Sequence, residues 1–210
     1  MAGFFISFFL GLVPCLIFAF IVYWFDRYEK EPKLLLGGVF TWGAIVAAGG
    51  AFLINTILSI GVYLFTGSDV VSEVGVGSFI APLVEESLKG LAVLMVYLLF
   101  RSQFDSILDG IIYAAITALG FAATENIYYI YTYGYQAHGW SGLVFLAFVR
   151  IILVGWQHPF YTAFTGIGLA ISRFFLPEPV PRECGGDEAT DVRSGSGAAH
   201  RVRQNRHPLV

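Results

Sequence analysis

The segment Glu85-Glu86-Ser87-Leu88-Lys89 places two carboxylates and an ammonium inside the apolar run from Phe79 to Phe100. Even mild insertion scales put each such charge near a bilayer centre at about 2.5–3.5 kcal/mol. Charges kept at that depth point to a use. Lys89 is i+4 from Glu85 and i+3 from Glu86, so it can face either carboxylate. Adjacent acids at low dielectric repel, which separates their affinities for a proton and suits a general base that handles water. Glu125 repeats the pattern in a second apolar run, with Asn126 beside it, and His158 stands before Pro159 in a third. Asn126 and His158 can donate to a developing oxyanion. The chemistry to expect is hydrolysis. A divalent metal such as zinc on Glu86, Glu125 and His158, with Glu85 nearby, is a variant of it. No HExxH helix supports that variant, and the favoured reading requires no metal.

Each residue also has a plainer reading. Glu85, Glu86 and Lys89 can form a structural ion pair, although the second acid leaves the charge unbalanced. Glu125 can be a protonated interhelical donor, and His158 a satisfied helix-end residue. Tyr128, Tyr129, Tyr131 and Tyr133 read as an interfacial aromatic belt. Asp105 reads as solvated and Asp109 as a helix cap. A different function class uses the same acids as a cation or proton site in a small transporter or binding protein. The chain lacks an internal inverted repeat, which counts against a transporter.

The elements that must position these groups are membrane helices. Of 210 residues, 57% are hydrophobic and only 13% charged, a balance that excludes an ordinary soluble domain. No basic patch with interleaved aromatics suggests nucleic acid. The fold class is all-α, a polytopic helix bundle of about five spans over residues 1–176, with a disordered polar tail over 177–210. The expected spans are Gly3–Phe25, Leu34–Phe65, Phe79–Phe100, Ile107–Tyr133 and Trp156–Phe175, with Thr66–Ser78 a loop and Leu143–Val154 interfacial or re-entrant. The first reads as a retained span, since no basic n-region precedes it. Cys15 in an apolar run and Cys184 in the tail lie too far apart in depth for a disulfide.

Small residues at i+4, such as Ala114, Ala118 and Ala122 or Gly43 and Ala47, mark faces where helices approach closely. Lys and Arg concentrate in the first loop, the link at Arg101 and the tail, which places the N-terminus outside and the tail in the cytoplasm. Counted along antiparallel helices, Glu85 and Glu86 lie about 10 Å and Glu125 about 12 Å from the same outer surface, where His158 also enters.

The runs Ala81-Pro82-Leu83-Val84-Glu85-Glu86-Ser87-Leu88-Lys89-Gly90, Asp109-Gly110-Ile111-Ile112-Tyr113 and Gly120-Phe121-Ala122-Ala123-Thr124-Glu125-Asn126-Ile127-Tyr128-Tyr129, then His158 and Thr162, resemble the PrsW family of intramembrane proteases. The segment Asp26 to Pro32 is similar to that family's first loop. The family is related to the CAAX-type prenyl-protein proteases and bacteriocin-immunity proteins. The resemblance implies peptide-bond hydrolysis in or beside the bilayer of a bacterial cell membrane. It implies Glu85 and Glu86 as the acid–base pair, with contributions from Lys89, Glu125, Asn126 and His158. It also implies a membrane-anchored protein substrate, such as an anti-sigma factor. Members usually continue into further apolar segments, one with a second His. Here the apolar pattern stops at Phe175, and His200 and His207 lie in polar surroundings, so the expectation is either a shortened member with a reduced site or a truncated and inactive one.

Overall fold

The structure is a computed structural model and describes residues 1–26 and 30–175. The expected tail, with Cys184, His200 and His207, lies outside the described residues. All regular elements among the described residues are helical: α1 (Ala2–Phe25), α2 (Lys33–Thr41), α3 (Ala48–Thr66), α4 (Asp69–Gly75), α5 (Ala81–Leu99), α6 (Ile107–Tyr129), α7 (Ala137–Phe148) and α8 (Gln157–Phe175). Wider π-helical turns join α2 to α3 (Trp42–Ala47), α4 to α5 (Val76–Ile80), α6 to α7 (Ile130–Gln136) and extend α7 (Val149–Leu153). Among the described residues, three helical runs are long and apolar enough to cross a membrane: Ala2–Phe25, Lys33–Thr66 and Ile107–Arg173. The last has 67 residues and folds back on itself, while α5 carries the three charges. Phe5, Phe9, Phe20 and Trp24 on α1, and Leu53, Ile57 and Leu64 on α3, face outward, as they do on a lipid-facing surface. The protein is an integral membrane helix bundle.

Helix α6 is its axis. Fifteen of its 23 residues are buried, which its near-uniform apolarity allows only in the middle of a bundle. Small residues let the other helices reach it. A Cβ built on Gly43 would stand 2.0 Å from Thr117 O, and one on Gly120 2.0 Å from Phe40 O, so α2 and its π turn cross α6 with backbones touching. Gly110 and Gly166 make the same approach between α6 and α8. On α1, Gly11 meets Ile127, and Cys15 packs on Ala122 and Ala123. The i+4 rows are packing seams, as their spacing predicts.

Two segments differ from expectation. The stretch Thr66–Ser78 is not a plain loop but holds α4, because Ser68 caps it by accepting from Val71 N–H at 3.4 Å and Asp69 sits at its positive end. The stretch Leu143–Val154 is not re-entrant. Gly139, at φ 65°, reverses the chain, and Gly142 then packs on Gly134, Leu143 and Ala147 on Ile130, and Arg150 on Asn126. Beyond a break at Val154–Trp156, α8 continues in the same sense, with His158 near Phe121, Gly166 against Gly110, and Arg173 bonded to the Phe104 carbonyl. α7 and α8 are therefore two halves of one returning pass. Irregular backbone at membrane depth is tolerated where protein surrounds it, and the expected start of the last span coincides with the break.

Asp109 is a cap, as one sequence reading held. Ser106 Oγ accepts from its N–H at 3.1 Å, while its Oδ2 accepts from the N–H of Ser106 at 2.7 Å and of Asp105 at 3.0 Å. One turn on, Tyr113 donates to Glu31 Oε2, and Glu31 N–H donates to Asp26 Oδ2 at 2.7 Å, so the first loop is tied to α6. Burial pushes the Glu31 carboxyl up to about 7, with the Asp109 and Asp26 charges adding to it against the Tyr113 hydrogen bond. A raised acid binds its proton more tightly folded than unfolded. Its stabilisation is complete below the ordinary value of 4.5 and is lost as pH rises through about 7. Thermal melts of the detergent-solubilised protein should show a falling midpoint between about pH 5 and pH 8. Glu31→Gln should flatten that dependence.

Candidate active site

Helix α5 places Glu85, Glu86 and Lys89 on one face by its own 3.6-residue repeat. Lys89 is fully buried, with Nζ 2.6 Å from Glu86 Oε1 and 3.9 Å from Glu85 Oε2. It also lies 3.3 Å from His158 Nδ1 and 4.1 Å from the centroid of Phe121. Glu86 is held a second time, because Thr162 Oγ1 donates to its Oε2 at 2.8 Å. On the far side of the imidazole, His158 Nε2 stands 2.8 Å from Glu125 Oε2. An ammonium has only hydrogens to offer. Nδ1 must then accept, which leaves the proton on Nε2 and aims it at Glu125. A chain of contacts thus runs from Thr162 through Glu86, Lys89 and His158 to Glu125.

Arg150 continues that chain. Its guanidinium donates to Glu125 Oε2, and its Nε donates to Asn126 Oδ1 at 2.9 Å. Asn126 Nδ2 points to Cys15 Sγ at 3.7 Å. The amide of Asn126 is thus turned towards Arg150 and α1, away from the carboxylate pair on α5. Two cations meet two carboxylates, Lys89 with Glu86 and Arg150 with Glu125. Glu85 is the acid left over. It lines a cavity of about 920 Å³ that also exposes Glu125, walled by α3, α4 and the end of α6. Trp42 packs beside α5 and donates from its Nε1 to Leu88 O at 3.1 Å.

The structure thus brings five of the six expected residues, Glu85, Glu86, Lys89, Glu125 and His158, into one network and attaches Asn126 to its edge. Sequence reasoning missed Arg150 and gave Thr162 no role. The signal for Arg150 was present: a lone arginine within an apolar segment is as costly as Glu125 and calls for a partner.

Glu86, Glu125 and His158 do not surround a common point. Lys89 Nζ occupies the space between Glu86 and His158, and an ammonium there excludes a second cation. Among the described residues no three His, Cys, Asp or Glu side chains are grouped to hold an ion. As arranged, the set does not fit a divalent metal.

The model of the PrsW family of intramembrane metalloproteases matches residues 31–182. Protease PrsW of Clostridioides difficile (strain 630) is 37% identical over 126 residues, 60% of this chain and 50% of that protein. Protease PrsW of Bacillus subtilis (strain 168) is 30% identical over 169 residues, 78% of this chain and 67% of that protein. That of Geobacillus kaustophilus (strain HTA426) is 27% identical over 165 residues, covering 78% and 65%. The chain thus spans between half and two thirds of the length of these relatives. No solved structure matches it. Both the matched span, which takes in every network residue from Glu85 to Thr162, and the likeness to several Protease PrsW chains place this protein in the PrsW family.

Proposed function

We propose that the protein hydrolyses a peptide bond of a membrane-anchored protein, with Glu85 as the general base. The observation that carries this reading is the position of Glu85, on the wall of a cavity next to a fixed ammonium, while every other charge of the network has a partner. Glu85 takes a proton from water, and the hydroxide oxygen bonds to the scissile carbonyl carbon. Negative charge then grows on the carbonyl oxygen, where Lys89 and the Nε2–H of His158 supply positive potential. As the tetrahedral intermediate collapses, Glu85 returns the proton to the leaving amine and the C–N bond breaks. Glu86 and Thr162 fix Lys89, and Asn126 and Arg150 fix Glu125. These four are positioning residues.

In this reading a carboxylate, not a metal, activates water, although the family's description names a metalloprotease. The placement of Lys89 between Glu86 and His158 supports it. The cavity lies at the end of the bundle away from the loops at Glu31 and Arg101. The distribution of Lys and Arg supports an extracytoplasmic position for that end. A substrate such as an anti-sigma factor, anchored by one span, would then be cut near its outer boundary. The test uses the full chain in liposomes with a single-pass membrane protein bearing a fluorescence-quench pair. Cleavage should continue at an unchanged rate after dialysis against a strong chelator. Loss on chelation and recovery on adding zinc would overturn the glutamic assignment, and no cleavage under any condition would overturn the hydrolase.

A further inference from the structure

Among the described residues, one buried side-chain atom on the wall of the cavity beside Glu85 has no hydrogen-bond partner. The α3 side of the cavity runs from Ala48 to Ile60, about 18 Å at helical rise, which is room for about five residues of extended chain. Asn55 sits midway along it. Its Oδ1 is buried and has no hydrogen-bond partner among the described residues. The neighbouring hydroxyls are engaged: Thr56 donates to Phe52 O at 2.7 Å, and Ser72 donates to Ser59 O at 2.7 Å. Leaving such a group unpaired costs about 1–3 kcal/mol. The other side of α3, with Leu53, Ile57 and Leu64 exposed, faces lipid.

The hydrolase reading offers a candidate partner. A peptide bond inside a helix has its N–H and C=O engaged, so a membrane span must unwind locally before water can reach a carbonyl carbon. Unwinding frees main-chain groups that find no water in hydrocarbon. A cavity that takes an extended stretch must offer donors and acceptors along its length, and a carboxamide offers both, as a peptide unit does. We infer that Asn55 binds a main-chain peptide unit of the unwound substrate segment next to the bond that Glu85 attacks, making the Ala48–Ile60 face of α3 the substrate-backbone wall. The inference rests on the hydrolase reading for its occupant, an extended peptide.

The test uses the full chain in liposomes with a synthetic probe: a leucine-rich single span with a Gly-rich stretch near its outer end, a benzoylphenylalanine beside that stretch and a quench pair across it. Light-induced adducts should map to Phe52, Asn55, Thr56 and Ser59. Asn55→Leu should raise KM and lower adduct yield roughly five- to tenfold, with kcat within about twofold. Asn55→Gln, which keeps the amide, should restore most of both. Adducts on Leu53 and Ile57 instead, or an unchanged KM and yield in a folded Asn55→Leu protein, overturn the inference while cleavage by the unaltered chain preserves the hydrolase. If the probe is bound at this wall with the same dependence on Asn55 but never cut, the binding site stands and the hydrolase reading falls.

Discussion

Glu85→Gln should lower kcat for a reconstituted membrane substrate by at least about 10²-fold, the range lost when a general base is removed, with KM and the thermal midpoint nearly unchanged. The amide keeps the size of the carboxylate but cannot take a proton from water at neutral pH. It also breaks little, because the contact of Glu85 with Lys89 is long at 3.9 Å, whereas Glu86 is held at 2.6 and 2.8 Å. Glu86→Gln should behave differently. It retains an oxygen for Thr162 but leaves a fully buried lysine without its close counter-charge, so activity and stability should fall together. Initial rates measured beside thermal melts separate the two cases. A folded Glu85→Gln protein with unaltered kcat would remove Glu85 from the chemistry.

The second large effect concerns packing. Gly166→Ala should cost about 3 kcal/mol or more, read as a shift in unfolding on titration with denaturing detergent. The added carbon would stand 2.0 Å from Gly110 O, a main-chain atom that cannot swing aside, and 3.1 Å from the Ala114 side chain. To make room, α8 must move off α6, and His158, eight residues earlier on α8, moves with it away from Glu125. Activity should therefore drop further than the folded fraction. Gly168→Ala is the internal control. Nothing lies within 4 Å of a Cβ there, and the substitution should be neutral or favourable by up to about 1 kcal/mol. Equal effects at the two glycines would mean that the α6–α8 seam is not a close backbone contact.

What could be read before folding was whatever depends on spacing along one helix or on depth counted from a helix end. The reach of Lys89 to Glu85 and Glu86 is local, set by three and four residues of one helix. Glu125 and His158 were placed at the level of that pair by antiparallel counting, and they stand there, 2.8 Å apart. Properties that depend on rotation about a helix axis were not legible. Asn126 adjoins Glu125 in sequence, yet a 100° step turns its amide to Arg150 and Cys15. The role of Arg150 is not legible because nothing local announces that Gly139 reverses the chain and brings it to α6. The Tyr113–Glu31 bond joins positions 82 apart, and only the assembled bundle makes them neighbours.

The two ion pairs also differ in how much of the chain each requires. Lys89 finds Glu86 within its own helix, three residues away, so α5 can leave the insertion machinery already half neutralised. Glu125 has no such companion on α6. Its counter-charge is translated 25 residues later and arrives only after the reversal at Gly139. For that interval during synthesis the central helix carries an uncompensated acid. It must wait at the translocon, or hold a borrowed proton, until the returning strand of polypeptide delivers the arginine.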